Sequence, residues 1–510
     1  MELDKRDVSI LLSSALLVFV GQIVYSVSQL VERIVIARLL TPDAYGEVDI
    51  GLALLTFSTT IALIGLQSGV PRYMSRFDDE ANTRGAWLTG LLIAGATSIP
   101  IALVLFFNAE LVAATFFERP ESTHLLLLFV ACIPFSVGFQ VAISGIQGQE
   151  NTIYRTYAHD LLFPGFRLFL LVGLLYTGFG ILAAGIAYLV ATIVAFVVAH
   201  VLLNRLIPLI GTFKLHAREM LFFSIPLVFA TLLSRLLTRT DTLMLGYFRS
   251  SYEVGLYGAA YPLASGMLLV LSSFGFMFLP LASRLDANDK RSEIDAIYKL
   301  TTKWIYIVTF PLFLTFVVFS SDVLAVIFGG EYAQAGFALS ILAVGFFTSA
   351  AFGRNRETIS ALGFTTWVFI ANALAFVVNV VLNLLLIPRY GIAGAAVTSA
   401  LSFIVLNGTV YVILKWRFDI SPFSRWTVRT FMLLPLLLFP PAIALSAWVS
   451  LSVVTLPVFL VIVGLASLGV VFLTGCLQPE DELPLEILEE RFGISVPLVR
   501  RFVPEPEPGR

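Results

Sequence analysis

The 510-residue chain is 58% hydrophobic by residue type and only 13% charged, with 32 Lys and Arg against 34 Asp and Glu and a formal net charge of −2. Soluble domains carry nearer a quarter charged residues, so a mean hydropathy of +0.91 places this chain in lipid. The near-neutral balance offers no basic surface for nucleic acid, and two cysteines, Cys132 and Cys476, both in or near apolar stretches, exclude a disulfide framework.

A membrane-crossing helix needs about 20 predominantly apolar residues. In chain order, fourteen segments qualify: 10–31, 47–68, 86–107, 124–144, 155–176, 180–203, 219–238, 254–280, 303–320, 334–352, 364–386, 391–414, 428–448 and 451–474. They are too long and too uniformly apolar for the alternating strands of a barrel. The first has no small-residue cleavage signal and is read as retained. The breaks at 176–180, 387–390 and 448–451 are the shortest. With the N-terminus inside, the even-numbered gaps and both tails hold most of the basic residues. The odd-numbered gaps hold only Arg33, Arg38, Arg119, Arg239, Arg249 and Arg389. The positive-inside bias then puts both termini in the cytoplasm. The predicted fold class is an all-α polytopic membrane protein with 14 transmembrane helices.

The chain repeats itself loosely. Glu32-Arg33, Ala44-Tyr45-Gly46, an apolar span and the segment from Pro71 to Arg76 are echoed by Thr238-Arg239, Val254-Gly255, an apolar span and Pro280 to Arg284. Both copies start on the same side, so they are parallel repeats, which usually place a substrate path between them. Coincidence among low-complexity apolar helices is the competing explanation.

Ionisable groups inside spans are costly and normally face a cavity or a partner. Span 1 carries Gln22, Ser26, Gln29 and Arg33 at spacings that share one helical face, and span 7 carries Thr231, Arg235 and Arg239 four apart. Arg167 falls near the middle of span 5, and Glu32 and Asp241 are the nearby carboxylates. Arginines four apart repel one another unless an anion is shared, and the guanidinium fork suits phosphate oxygens. A cleft lined in this way would receive a phosphate or pyrophosphate headgroup while its tail stays in the bilayer. The rival explanations are snorkelling of Arg33 and Arg239 to the outer interface, a fixed ion pair for Arg167, and interhelical hydrogen bonding for Gln22 and Gln29. Glu32 and Asp241 read as pairing or capping groups before ion carriers. His159 and His200 have no metal-ligand spacing and read as interfacial, and no nucleotide or cofactor motif is present. Past the last span come a short amphipathic stretch, Leu483 to Phe492, and a Pro-Glu-rich end. These read as interfacial and then disordered.

Four segments, IARLLTPDAYGEVDIGLAL at 36–54, FSIPLVFATLLSRLLTRTDTLMLGYFRSSYEVGLYGAAYPL at 223–263, VIFGGEYAQAG at 326–336 and NVVLNLLLIPRYGIAGAAVTSALS at 379–402, occur in an order that resembles the polysaccharide and O-antigen flippase (Wzx-like) family. That family belongs to the multidrug/oligosaccharidyl-lipid/polysaccharide exporter superfamily. The resemblance implies two pseudo-symmetric six-helix lobes around a cavity lined by spans 1, 2, 7 and 8, plus two C-terminal helices. The expected divisions are 1–215 for the N-lobe, 216–420 for the C-lobe, 421–475 for spans 13 and 14, and 476–510 for a cytoplasmic tail. The resemblance further implies transport of lipid-linked oligosaccharide across the plasma membrane, with no enzymatic step and no cofactor. Membrane lipids and cell-surface glycan assembly enzymes are its expected partners. Arg33, Arg235 and Arg239 are the implied cavity cations, with Arg167 and the polar stripe completing a headgroup site and Glu32 and Asp241 available for ion coupling. The alternatives are a multidrug cation antiporter of the same fold, which calls for a carboxylate-rich cavity, and an uncoupled scramblase or membrane scaffold.

Overall fold

The computed structural model describes residues 5–119 and 122–482, with the side chains of 5–16, 19, 226–232, 234–238 and 274–277 outside that description. The amphipathic stretch after Leu483, the Pro-Glu-rich end, and the side chains of Thr231 and Arg235 therefore lie outside the described residues. Among the described residues, every regular element is a helix. Twelve are long and apolar enough to cross a membrane, making this a multi-pass membrane protein. One of the twelve, Thr365–Phe418, runs 54 residues and is broken at Gly391, whose φ of 54° and ψ of −129° are not helical. Pro388 lies just before the break and has no N–H for the helical ladder. A further 32-residue helix, Ala217–Phe248, stands outside the twelve.

Contacts divide the chain into two compact units, Met1–Gly258 and Ala259–Arg510. The first contains α1 (Lys5–Leu39), α2 (Pro42–Leu63), α3 (Leu66–Arg76), α4 (Glu80–Phe107), α5 (Ala109–Phe116), α6 (Ser122–Gly148) and α7 (Thr152–Arg155). A π-helical turn, Thr156–Leu162, leads from α7 into α8 (Phe163–Tyr176), followed by α9 (Leu182–Leu206) and α10 (Ala217–Phe248). The unit ends partway along α11 (Ser251–Gly266).

Local sequence sets the ends of α2. The Thr41 hydroxyl accepts from the Ala44 amide, Pro42 supplies a preset first turn, and Asp43 faces the positive end of the helix dipole. The helix stops where Ile64 and Gly65 take positive φ, 42° and 72°. Its apolar residues are deeply packed: Val48, Ile50 and Ala53 are fully buried.

The two glycines aligned by the sequence repeat meet at the start of this helix. A Cβ on Gly46 would lie 1.8 Å from the Ser251 carbonyl oxygen, and one on Gly255 would lie 2.0 Å from that of Pro42. Both obstructing atoms are backbone, so no side chain can move aside. Gly46→Ala and Gly255→Ala are each expected to destabilise the protein by about 1–3 kcal/mol through backbone displacement. Thermal unfolding of the purified variants checks this, and a parental melting temperature for both would refute the close crossing.

The second unit is built from α12 (Leu268–Ala287), α13 (Arg291–Val318), α14 (Ser320–Ile327), α15 (Gly336–Phe352), α16 (Asn355–Ala361), α17 (Thr365–Phe418), α18 (Arg425–Ser446) and α19 (Thr455–Leu473). Polar side chains tie its apolar helices together. The Asn355 amide donates to the Asn407 carbonyl at 3.0 Å, and the Asn407 amide donates to Ser349 Oγ at 3.0 Å. Residues 476–482 pack onto α13, where Lys303 Nζ is ion-paired with Asp481 and both side chains are buried. Trp304 Nε1 donates to the other Asp481 oxygen at 2.7 Å.

Candidate functional site

Within the first unit, α1, α2, α3, α6, α8, α9 and α10 line a cavity of about 310 Å³. This is at the small end of ligand pockets, and large enough for a headgroup but not for a long glycan. Gln29, Glu32 and Arg33 of α1, Arg167 of α8 and Arg239 of α10 all line it. Those five sequence-predicted residues are thus brought together from three helices. Gln22 is exposed, Ser26 is half-buried, and neither lines the cavity. Asp241 lies elsewhere, buried and accepting the Tyr257 hydroxyl at 2.8 Å.

One group of charges centres on Asp49. Its Oδ1 lies 3.1 Å from Arg33 Nη2 and 3.5 Å from Arg239 Nη1, so a single carboxylate is shared by arginines of α1 and α10. Arg33 Nη1 also donates to the Tyr45 hydroxyl at 3.1 Å and to the Gly258 carbonyl at 3.2 Å. Tyr45 in turn donates to the same carbonyl at 2.8 Å. In this network Arg33 and Arg239 both reach one buried carboxylate.

A second group centres on Arg167, which is 3% exposed. Its guanidinium lies 4.3 Å from the ring centre of Tyr188 and 4.9 Å from that of Phe163. Such contacts stabilise a desolvated cation. Glu32 Oε2 approaches Arg167 Nη2 to 2.5 Å, off the N–H direction. Among the described residues, Arg167 Nε and Glu32 Oε1 have no hydrogen-bond partner.

The rest of the lining is mostly polar or aromatic. Thr56, Thr59, Thr60 and Gln67 follow along α2 and α3, facing Ser136 and Gln140 of α6. Tyr25 and Phe139 complete one side, with His159 stacked against both at 5.2 and 6.1 Å. His159 sits in the π-helical turn, and its Nδ1 lies 2.6 Å from the buried Asp160. The turn packs closely on α1: a Cβ on Gly21 would lie 2.9 Å from Asp160 Oδ2.

Sequence reasoning missed Asp49, Tyr45 and Tyr188. The signal for Asp49 was present as Glu47-x-Asp49, two carboxylates at the head of an apolar span. They have different tasks. Glu47 accepts the Glu118 and Arg119 amides and the Ser122 hydroxyl, tying the loop before α6 to α2.

A family model described as polysaccharide biosynthesis protein matches residues 35–336. The chain is 22% identical over 366 residues to the probable flippase AglR of Haloferax volcanii, covering 70% of this chain and 74% of AglR. It is 27% identical over 168 residues to the probable low-salt glycan biosynthesis flippase Agl15 of the same organism, covering 32% of this chain and only 35% of Agl15. Among solved structures, lipid II flippase MurJ in an inward closed conformation matches with a TM-score of 0.72 at 13% identity, covering 89% of this chain and 98% of MurJ. An inward-facing multidrug resistance MATE family transporter of the MOP superfamily matches with a TM-score of 0.64 at 15% identity, covering 78% of this chain and 94% of that one. At these identities the structural matches establish the fold.

Proposed function

The chain belongs to the polysaccharide biosynthesis protein family, and we propose that it is a flippase moving a lipid-linked oligosaccharide from the cytoplasmic to the external leaflet by alternating access. The observation that carries this reading is a cavity whose lining includes Arg33, Arg167 and Arg239 against two carboxylates, Glu32 and Asp49. That balance suits an anionic headgroup, an isoprenoid phosphate or pyrophosphate, with the hydrocarbon tail left in the bilayer. The names of AglR, a probable flippase, and Agl15, a probable glycan biosynthesis flippase, support this reading. A multidrug cation antiporter would favour the opposite charge excess.

In this reading, the chain has fourteen spans, counting Ala217–Phe248 and both parts of Thr365–Phe418, with both termini cytoplasmic in the plasma membrane. The headgroup enters from the cytoplasmic side and takes the arginines from Asp49. Outward movement of each negative charge through an inside-negative potential gains about 2.3 kcal/mol per 100 mV. Glu32 serves Arg167, and Asp241 accepts from Tyr257, so both act as fixed partners rather than as ion carriers. Glycan assembly enzymes would supply the cargo on one face and consume it on the other.

The test is leaflet exposure of lipid-linked oligosaccharide in cells depleted of the protein, read by lectin or enzymatic probing of the outer face. Completed glycolipid should accumulate facing the cytoplasm, and re-expression of the parent should restore exposure. Loss of a charged hydrogen bond costs about 1.5–3 kcal/mol, so Arg33→Ala and Arg239→Ala should each slow flipping by roughly tenfold or more. Unchanged exposure in cells with no other flippase would sink the assignment. Parental rates from both variants would sink the cationic cavity.

A further inference from the structure

We propose that the Arg167 end of the cavity is a carbohydrate subsite selective for a neutral sugar on the lipid phosphate, an inference that rests on the flippase reading and specifies its substrate class. Phosphate offers acceptors only, so a phosphate site should present donors. The Asp49 end does so, through Arg33 and Arg239. The other end does not fit that description.

The α2 threonines give the first reason. Thr56 donates its hydroxyl proton to the Leu52 carbonyl at 2.7 Å, Thr59 to that of Leu55 at 2.8 Å, and Thr60 to that of Thr56 at 2.7 Å. With their protons committed to the helix, these oxygens offer the cavity lone pairs. A row of acceptors repels an anion and suits the O–H donors of a sugar. Glu32 adds another acceptor, since its Oε1 is buried without a partner among the described residues. The Arg167 Nε is a donor in the same condition, and Thr192 Oγ1, in a residue 1% exposed, can serve either way. Unused donors and unused acceptors lining one cavity match hydroxyl groups, which both give and take hydrogen bonds.

Charge gives the second reason. Arg167 already has Glu32 at 2.5 Å, so this end of the cavity carries no excess positive charge for a sugar carboxylate. An acidic sugar would set its carboxylate among Glu32 and the threonine lone pairs, at a cost the lone guanidinium cannot offset. Shape agrees with this. Tyr25 and Phe139 line the cavity as apolar faces backed by His159, against which the C–H face of a sugar ring can pack. Glu32 and Arg33 are consecutive on α1, which puts the subsite next to the phosphate end. The ring it takes is therefore the one bonded to the phosphate.

The experiment measures binding of three short-chain lipids to the full-length protein in nanodiscs: farnesyl phosphate, farnesyl phosphoglucose and farnesyl phosphoglucuronate. The sugars differ only in the oxidation state of one carbon. Glucose should improve binding over farnesyl phosphate by about fivefold, the worth of one or two net hydrogen bonds. Glucuronate should bind about tenfold more weakly than glucose. Thr192→Val and Thr56→Val should remove most of the gain from glucose, so that in each variant farnesyl phosphoglucose binds little better than farnesyl phosphate. Glu32→Gln should narrow the difference between the two sugars. Should that variant fail to fold, the threonine variants, which delete a single hydroxyl each, carry the test alone. Glucuronate binding as tightly as glucose, or glucose adding nothing to a farnesyl phosphate that does bind, would overturn the neutral-sugar subsite and leave the flippase reading standing. Failure of the parent to bind farnesyl phosphate at all would remove the phosphate-lipid reading and the subsite with it.

Discussion

Under the proposed flippase function, Asp49→Ala is expected to bind an anionic lipid headgroup about tenfold more tightly than the parent while flipping it more slowly. Asp49 holds Arg33 and Arg239 with one oxygen. A phosphate entering the site competes with that carboxylate, and after release the carboxylate must reclaim the arginines. Removing it leaves two cations with no competitor, so the ground state of the loaded carrier deepens and release slows. Tight binding that is not released lowers turnover. Stability should move in the opposite direction from affinity. Asp49 is 3% exposed in its side chain while Arg33 is 14% and Arg239 is 26% exposed. Deleting one member of a buried ion pair costs about 3–5 kcal/mol, and the partial exposure of the arginines puts this case near the lower limit. A low melting temperature that rises steeply on adding farnesyl phosphate would be the combined signature. Binding and flipping that fall together would show instead that Asp49 only orients its arginines, and the competition model would be wrong.

The membrane architecture was legible because lipid imposes one rule on every residue: a span must be apolar and must satisfy its own backbone hydrogen bonds. Run length and composition report that directly, without reference to tertiary contacts. The break in Thr365–Phe418 was also legible, since Pro388 and Gly391 announce it, though the break is a single glycine and not a loop. The cavity was legible on its cationic side for a related reason. Arg33, Arg167 and Arg239 are conspicuous in apolar helices, and a costly charge needs a purpose. Their partners were harder to see. Asp49 lies two residues from Glu47, and nothing in the sequence separates the carboxylate that meets arginines from the one that ties down the loop before α6. The pairing of Arg167 with Glu32 crosses from α8 to α1, a contact fixed by helix packing that no spacing rule reports. The same holds for Gln22 and Ser26. They share a helical face with Arg33 by spacing, but the residues α1 gives to the cavity are Tyr25, Gln29, Glu32, Arg33 and Ile36.

The ion pair of Lys303 with Asp481 was equally invisible, and removing one partner alone should be strongly destabilising to the second unit. By sequence, Lys303 is one of many basic residues marking the inner side, and Asp481 belongs to an acidic tail. In the structure the lysine side chain is fully buried and the aspartate 1% exposed. Asp481 is saturated: besides Lys303 it accepts Trp304 Nε1 at 2.7 Å and the Gln478 amide at 2.8 Å. Asp481→Ala would leave a buried ammonium whose remaining hydrogen-bond acceptor among the described residues is the Cys476 carbonyl at 3.4 Å, beside the Trp304 ring at 6.0 Å, and a loss of about 3–5 kcal/mol is expected. Lys303→Met with Asp481→Leu removes both charges together and should recover most of that loss, because an apolar pair of similar volume carries no desolvation cost. The apparent melting temperature of detergent-purified protein should therefore drop sharply for the single variant and return close to the parent for the double one. Flipping separates this pair from the cavity residues. Per folded molecule, the double variant should transport at the parental rate, since neither side chain lines the cavity. A double variant as unstable as the single one would mean that the Trp304 and Gln478 hydrogen bonds, and not charge pairing, hold residues 476–482 against α13.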